Sequence, residues 1–184
     1  MTGEKLWRYT SLVRLWSWAL IGVAVALLAL SFALEAGTKE GIDSWWLGAI
    51  LGVTGLTGAL LLPLFRVWLR KSALPSVRLP QARRLSGPRR LEATPADWRR
   101  WGTVTAIVLL VGGFAMLTFL IGVLGRGGTA EGVVVGMLAA WGLATLEDAR
   151  RIRMTEDAEG RDYFAACRRP TSVGDRLFWV PRKG

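Results

Sequence analysis

With 184 residues, 52% of them hydrophobic, and a formal net charge of +10, the chain combines two properties that a water-soluble domain rarely combines. A basic soluble protein reads first as a nucleic-acid binder, but here the apolar residues are blocked into long runs, so the membrane reading takes precedence and the charge becomes a topology signal. There is no histidine and one cysteine, Cys167, which excludes an intramolecular disulfide and removes the commonest metal and haem ligands.

Taken in order, Met1 to Leu15 mixes Lys5, Arg8 and Arg14 with Trp7 and Tyr9. Aromatics and cations alternating in this way suit a short helix lying in the headgroup layer. Trp16 to Leu34 follows without a charge for 19 residues, about 28 Å as a helix and close to the ~30 Å hydrocarbon core. A basic start before an apolar run also fits a signal peptide, but this run exceeds the usual ~7–15 residues and no clear Ala-x-Ala site follows. Glu35 to Ser44 is short and acidic. Trp45 to Phe65 forms the second apolar helix, with Pro63 in its last turns, where a kink is cheap if neighbours satisfy the freed carbonyl.

The stretch from Arg66 to Trp101 carries ten Lys/Arg against two acids, Glu92 and Asp97. Short loops of this composition are retained on the cytoplasmic side. Pro75, Pro80 and Pro88 argue for irregular backbone there. Thr94-Pro95-Ala96-Asp97 reads as a helix cap, with proline at the first helical position and an acid at the third. The third apolar helix is Thr103 to Leu124. After the turn Gly125 to Thr129, the fourth is uncharged only from Gly132 to Leu146, 15 residues or about 22 Å. Such a helix needs its charged ends near the interface, a locally thinner bilayer, or shielding by the other three.

Twenty-two of the 24 Lys/Arg fall in the N-terminus, the central loop or the region from Glu147 onward. The expected fold is therefore an all-α polytopic protein of the plasma (inner) membrane with both termini cytoplasmic. Its segments are an N-terminus (1–15), a first hairpin (16–65), a basic loop (66–101), a second hairpin (102–147) and a tail (148–184). A shift of 91 positions aligns Trp7-Arg8 with Trp98-Arg99, Gly22 with Gly113, and Gly37-Thr38-x-Glu40-Gly41 with Gly128-Thr129-x-Glu131-Gly132. Chance agreement between two apolar hairpins is the plain alternative. If the duplication is real, both halves enter from the same side and are parallel repeats, not inverted ones.

Small residues recur at helical spacing. Gly22, Ala26, Ala29 and Ala33 mark the first helix, Gly48, Gly52, Gly55 and Ala59 the second, and Gly132 and Gly136 the fourth. Such stripes let helices approach closely where lipid removes the hydrophobic driving force, and they are expected to hold the bundle together, with homo-oligomer formation as the alternative. No Asp, Glu, Lys or Arg lies within the four apolar cores, so no intramembrane proton relay or coupling carboxylate is evident. No phosphate loop, dinucleotide fingerprint or metal-ligand spacing occurs. Enzyme is the class least supported, and no cofactor is expected. Glu40 and Glu131, equivalent in the repeat, are expected on an external acidic rim, either as helix N-terminal charges or as a ring at a pore mouth.

The inner surface is expected to contact anionic lipid of the inner leaflet or an acidic protein partner through Arg83, Arg84, Arg89, Arg90, Arg150 and Arg151, at about 1 kcal/mol per cation for lipid. The run Glu147 to Arg153 prolongs the fourth helix, and Asp175 to Pro181 forms an aromatic patch, with Phe178 and Trp179, that folds back on the membrane or plugs into a partner. The leading expectation is a small non-catalytic subunit that anchors a larger membrane complex. An oligomeric pore or membrane sensor of the lysis or defence type, and a membrane-tethered nucleic-acid binder, are the alternatives.

Overall fold

The computed structural model describes residues 5–37, 43–72, 79–80, 82–85, 93–124, 128–167 and 176–182. Glu40, Arg89 and Arg90 lie outside the described residues. The element order is β1 (Lys5–Arg8), α1 (Tyr9–Ala36), α2 (Ser44–Ser72), β2 (Arg83–Arg84), α3 (Pro95–Leu124), α4 (Thr129–Glu159), β3 (Arg161–Cys167) and β4 (Arg176–Pro181). All four helices are long and apolar enough to cross a membrane. The chain is thus predominantly helical and of multi-pass membrane type, but not all-α, because a four-stranded sheet accompanies the helices in the order β1-β3-β4-β2.

Local chemistry explains the helix ends. Asp43 caps α2, its carboxylate accepting from the Trp45 amide at 3.4 Å and the Ser44 hydroxyl at 3.3 Å. Thr94 and Asp97 form the expected reciprocal box at α3: the Asp97 carboxylate accepts from the Thr94 amide at 2.9 Å, and the Thr94 hydroxyl accepts from the Asp97 amide at 3.3 Å. α4 ends at Gly160, whose φ of +62° is the left-handed conformation that stops a helix at little cost to glycine. Pro63 lies inside α2, which continues through it.

The chain divides into two compact units. One comprises 17–67 and 106–144, the other 1–16, 68–105 and 145–184. In the helical unit, Leu20, Val23, Ala24 and Leu27 of α1 pack with Leu117 of α3 and with Val134, Val135 and Leu138 of α4. More than half of the most apolar window of α4 is buried (56%), against 6% for α2. That burial is the shielding by neighbouring helices that the short uncharged run of α4 calls for. Its glycines meet those neighbours directly. A Cβ on Gly132 would stand 3.0 Å from the Ile50 carbonyl oxygen, and one on Gly136 would stand 2.7 Å from that of Thr54.

The stripes of α1 and α2 do not pack in this way. Gly22, Ala26, Ala29 and Ala33, and likewise Gly48, Gly52, Gly55 and Ala59, are all exposed. A Cβ on Gly22, Gly48, Gly52 or Gly55 would meet nothing within 4 Å. The bundle closes instead on larger residues of α1 and α2 that oppose small residues of α4: Ile21 against Gly142, Ile50 and Val53 against Gly132. One small surface at each contact suffices for close approach.

The second unit gathers the N-terminus, the middle and the tail. β1 pairs antiparallel with β3 (Trp7 opposite Ala165), β3 pairs antiparallel with β4 (Phe164 opposite Phe178), and β2 pairs parallel with β4 (Arg84 opposite Trp179). Its core is built by Trp7, Tyr9, Leu12, Val13, Leu79, Ala149, Ile152, Tyr163, Ala165 and Leu177. Trp7 is 1% exposed and meets Trp98 edge-on, ring centroids 4.6 Å apart. The expected interfacial helix at 1–15 is therefore replaced by a strand that turns into α1 at Tyr9, because Trp7 finds a protein core in place of headgroups. One hydrogen-bonded sheet thus draws together strands from the N-terminal region, the middle and the tail of the chain.

Candidate functional site

The polar features of the sheet-bearing unit start from Asp162, the second residue of β3. Its Oδ1 accepts from Arg8 Nη2 at 3.1 Å and from Arg182 Nε at 2.7 Å, joining β1 to the residue after β4. Arg182 also donates from Nη1 to Asp157 at 2.6 Å, and its backbone amide donates to the Gly160 carbonyl at 2.8 Å. The hydrogen bonds it donates to Asp162 and then to Asp157 hold the guanidinium charged well above its ordinary range, and the contact with Arg182 lowers the Asp157 carboxyl. Glu156 is 1% exposed. It is tolerated there because its Oε1 accepts from the Tyr163 amide at 3.2 Å and Arg182 lies 3.9 Å from its Oε2.

Beside this network lies an open cleft of about 290 Å³, lined by Arg8, Thr10, Ser11, Arg14, Arg153, Glu156, Asp157 and Arg182. Four guanidiniums face two carboxylates. A second groove of about 340 Å³ runs past Leu79, Pro80, Glu159, Arg161, Tyr163 and Trp179. The Tyr163 hydroxyl donates to Glu159 at 2.6 Å, and burial, reinforced by that carboxylate, pushes the phenol up to about 12. Arg161 lies 4.2 Å from the centroid of the Trp179 ring and Arg84 lies 5.7 Å from it, both within cation–π range.

The expected contact residues are partly brought together. Arg83 and Arg84 of the central loop pair with Phe178 and Trp179 of the tail through β2 and β4, joining two stretches that sequence reasoning treated separately. The tail patch is thus a sheet strand. Arg150 is exposed on α4, and Arg151 pairs with Glu147 at 2.8 Å one turn earlier. Glu131 departs from expectation: it is 8% exposed, and its Oε2 is buried without a hydrogen-bond partner, so it is no part of an exposed rim. It occupies the third position of α4, where the helix dipole favours an anion.

Asp162, Arg182 and Glu156 escaped the sequence reading. A weak signal existed, since Gly160 follows a long helix, and Tyr163-Phe164 and Leu177–Val180 supply strand-forming residues on either side of a turn-forming stretch, a hairpin pattern. Chemically, the unit offers guanidinium groups held by carboxylates, hydroxyls at a helix start and an aromatic ring flanked by cations, a set suited to holding anions and protein surfaces. Among the described residues, no group of three or more His, Cys, Asp or Glu is placed to hold a metal ion. No protein-family model matches the chain, and neither curated proteins nor solved structures show significant similarity to it.

Proposed function

We propose that the chain is a small non-catalytic integral membrane subunit that anchors a larger complex, residing in the plasma (inner) membrane with its sheet-bearing unit and both termini in the cytoplasm. The observation that carries this reading is the folding of three separate basic segments into one unit, which holds 21 of the 24 Lys/Arg. Short basic segments are retained inside, and a unit knit from all three has to be retained as a whole. Around Trp179 it sets Arg84 and Arg161, both within cation–π range of the ring, the arginine-and-aromatic composition enriched at protein interfaces. The two hairpins are parallel repeats in this reading, which rests on the 91-residue register of the sequence.

Purification of the full chain in mild detergent tests the proposal. Stoichiometric partner proteins should co-purify and be lost from Arg83→Glu/Arg84→Glu, while the variant keeps the thermal stability of the parent. Absence of any stoichiometric partner, or labelling of Arg84→Cys by a membrane-impermeant thiol reagent added to intact cells, would overturn it. A second reading, self-association into a pore, is favoured by the outward display of the α1 and α2 stripes, and it requires ion flux from liposomes carrying the pure protein.

A further inference from the structure

We propose that the cleft at the start of α1 is a binding site for a phosphate group. Its cations are unequally committed. Arg8 and Arg182 are tied to Asp162, and Arg182 also to Asp157. Neither Arg14 nor Arg153 forms an ion pair among the described residues, although Glu156 and Asp157 line the same cleft. The charge excess of the cleft therefore resides on Arg14 and Arg153. Thr10 and Ser11, at the N-terminus of the 28-residue α1, line the same cleft, and that helix has no acidic residue in its first turn. The residue before it is Arg8, whose side chain has no acceptor with which to cap the helix. Such a helix end carries roughly half a positive charge and amides pointing outward, an arrangement suited to anions.

The independent sign of a ligand is Thr10. It lines the cleft, is 5% exposed, and its hydroxyl is buried without a hydrogen-bond partner. A buried hydroxyl left unpaired is costly unless something completes it, and a phosphate oxygen accepts such a donor together with guanidinium N–H groups. The same helix gives the depth of the site. The uncharged stretch of α1 begins at Trp16, so Arg14 precedes it by about 3 Å and Thr10 by about 9 Å along the axis. The polar headgroup layer on each side of a bilayer is roughly 5–8 Å thick, which puts the cleft level with lipid phosphates. Arg14 and Arg153 clamp the phosphate oxygens, Thr10 and the first-turn amides complete them, and the Arg8–Asp162–Arg182 network fixes the wall. A lipid headgroup and a free phosphate in solution present the same oxygens.

The full chain in neutral detergent, titrated with inorganic phosphate against chloride at matched ionic strength, forms one arm of the test. Nanodiscs of phosphatidylcholine with and without phosphatidic acid, read by retention of phosphatidate in native mass spectrometry, form the other. Saturable binding in the first arm assigns a soluble phosphate, and retention in the second alone assigns a headgroup. In whichever arm binds, Arg14→Gln should weaken it roughly tenfold, the scale of one charged hydrogen bond. Thr10→Val should weaken it several-fold without lowering the thermal stability of the unliganded protein, and Arg150→Gln should leave it unchanged. The proposal is overturned by no saturable binding in either arm, by binding that survives both Arg14→Gln and Thr10→Val, or by equal loss in Arg150→Gln, which would mean general charge attraction. It goes beyond the anchoring role, and none of these outcomes alters which proteins co-purify.

Discussion

Substituting alanine for Gly136 tests how the helices are held together. The new Cβ would lie 2.7 Å from the Thr54 carbonyl oxygen and 2.9 Å from Thr57 Cβ. The first distance falls about 0.7 Å short of 3.4 Å, where ordinary contact begins, and the obstacle is backbone, which cannot rotate away. α2 must move off α4, and a gap of 0.5–1 Å already forfeits roughly a quarter to a half of each dispersion well along the contact. Overpacking of this kind costs about 1–3 kcal/mol. Glycine to alanine also gains about 1 kcal/mol of helix propensity, so Gly52→Ala, which would meet nothing within 4 Å, is the proper reference: propensity cancels and packing remains. Thermal unfolding of the two variants in the same detergent should place Gly136→Ala roughly 2–12 °C below Gly52→Ala. Equal melting temperatures, or a Gly52→Ala that is the less stable of the two, would refute the reasoning and return the α2 stripe to the role its spacing suggested.

Two further outcomes follow from the sheet-bearing unit. Trp7→Ala empties the centre of its core and should cost about 3–5 kcal/mol, seen as protease sensitivity of the tail, whereas Trp45→Ala, at a position 78% exposed, should leave the tail protected. Asp97 lies in the first turn of α3, ahead of Arg99 and Arg100 and outside the uncharged stretch. Its hydrogen bonds from Lys5, then from the Thr94 amide and hydroxyl, hold its carboxyl at about 2, below 3.8. A depressed carboxyl contributes stability above its unfolded value and loses it as pH falls through the folded one. The parent should therefore lose stability between pH 3.8 and about 2 more steeply than Asp97→Asn, and identical acid profiles would show that the Lys5 contact does not hold β1 to α3.

Much of the helical fold was legible. Uncharged runs of membrane-spanning length need no partner to be recognised, and the box at Thr94 and Asp97 is local chemistry within four residues. The extension of α4 through Arg153 was likewise readable from its charged run. The sheet was not, because β1 is four residues long and its partner β3 lies about 150 residues away, while β2 is Arg83-Arg84, a pair with no strand signature of its own. Small-residue spacing identified stripes but not the direction in which each looks. Gly132 and Gly136 face α2, whereas Gly52 and Gly55 of α2 face away from α4, a choice made by which side of α2 carries Ile50, Val53 and Thr54. Asp162 and Arg182 became a pair only once β3 and β4 turned back on each other.

The pairing of β1 with β3 tests the central claim most directly, because its backbone register ties the N-terminal strand to the tail. In full-length protein carrying Cys167→Ser, cysteines replacing the register partners Leu6 and Ala166 should form a disulfide under mild oxidation in native membranes. Cysteines replacing Leu6 and Val180, which lies on a strand not adjacent to β1, should not. No bond in the first pair, or equal bonding in both, would contradict a sheet that binds the two ends of the chain together.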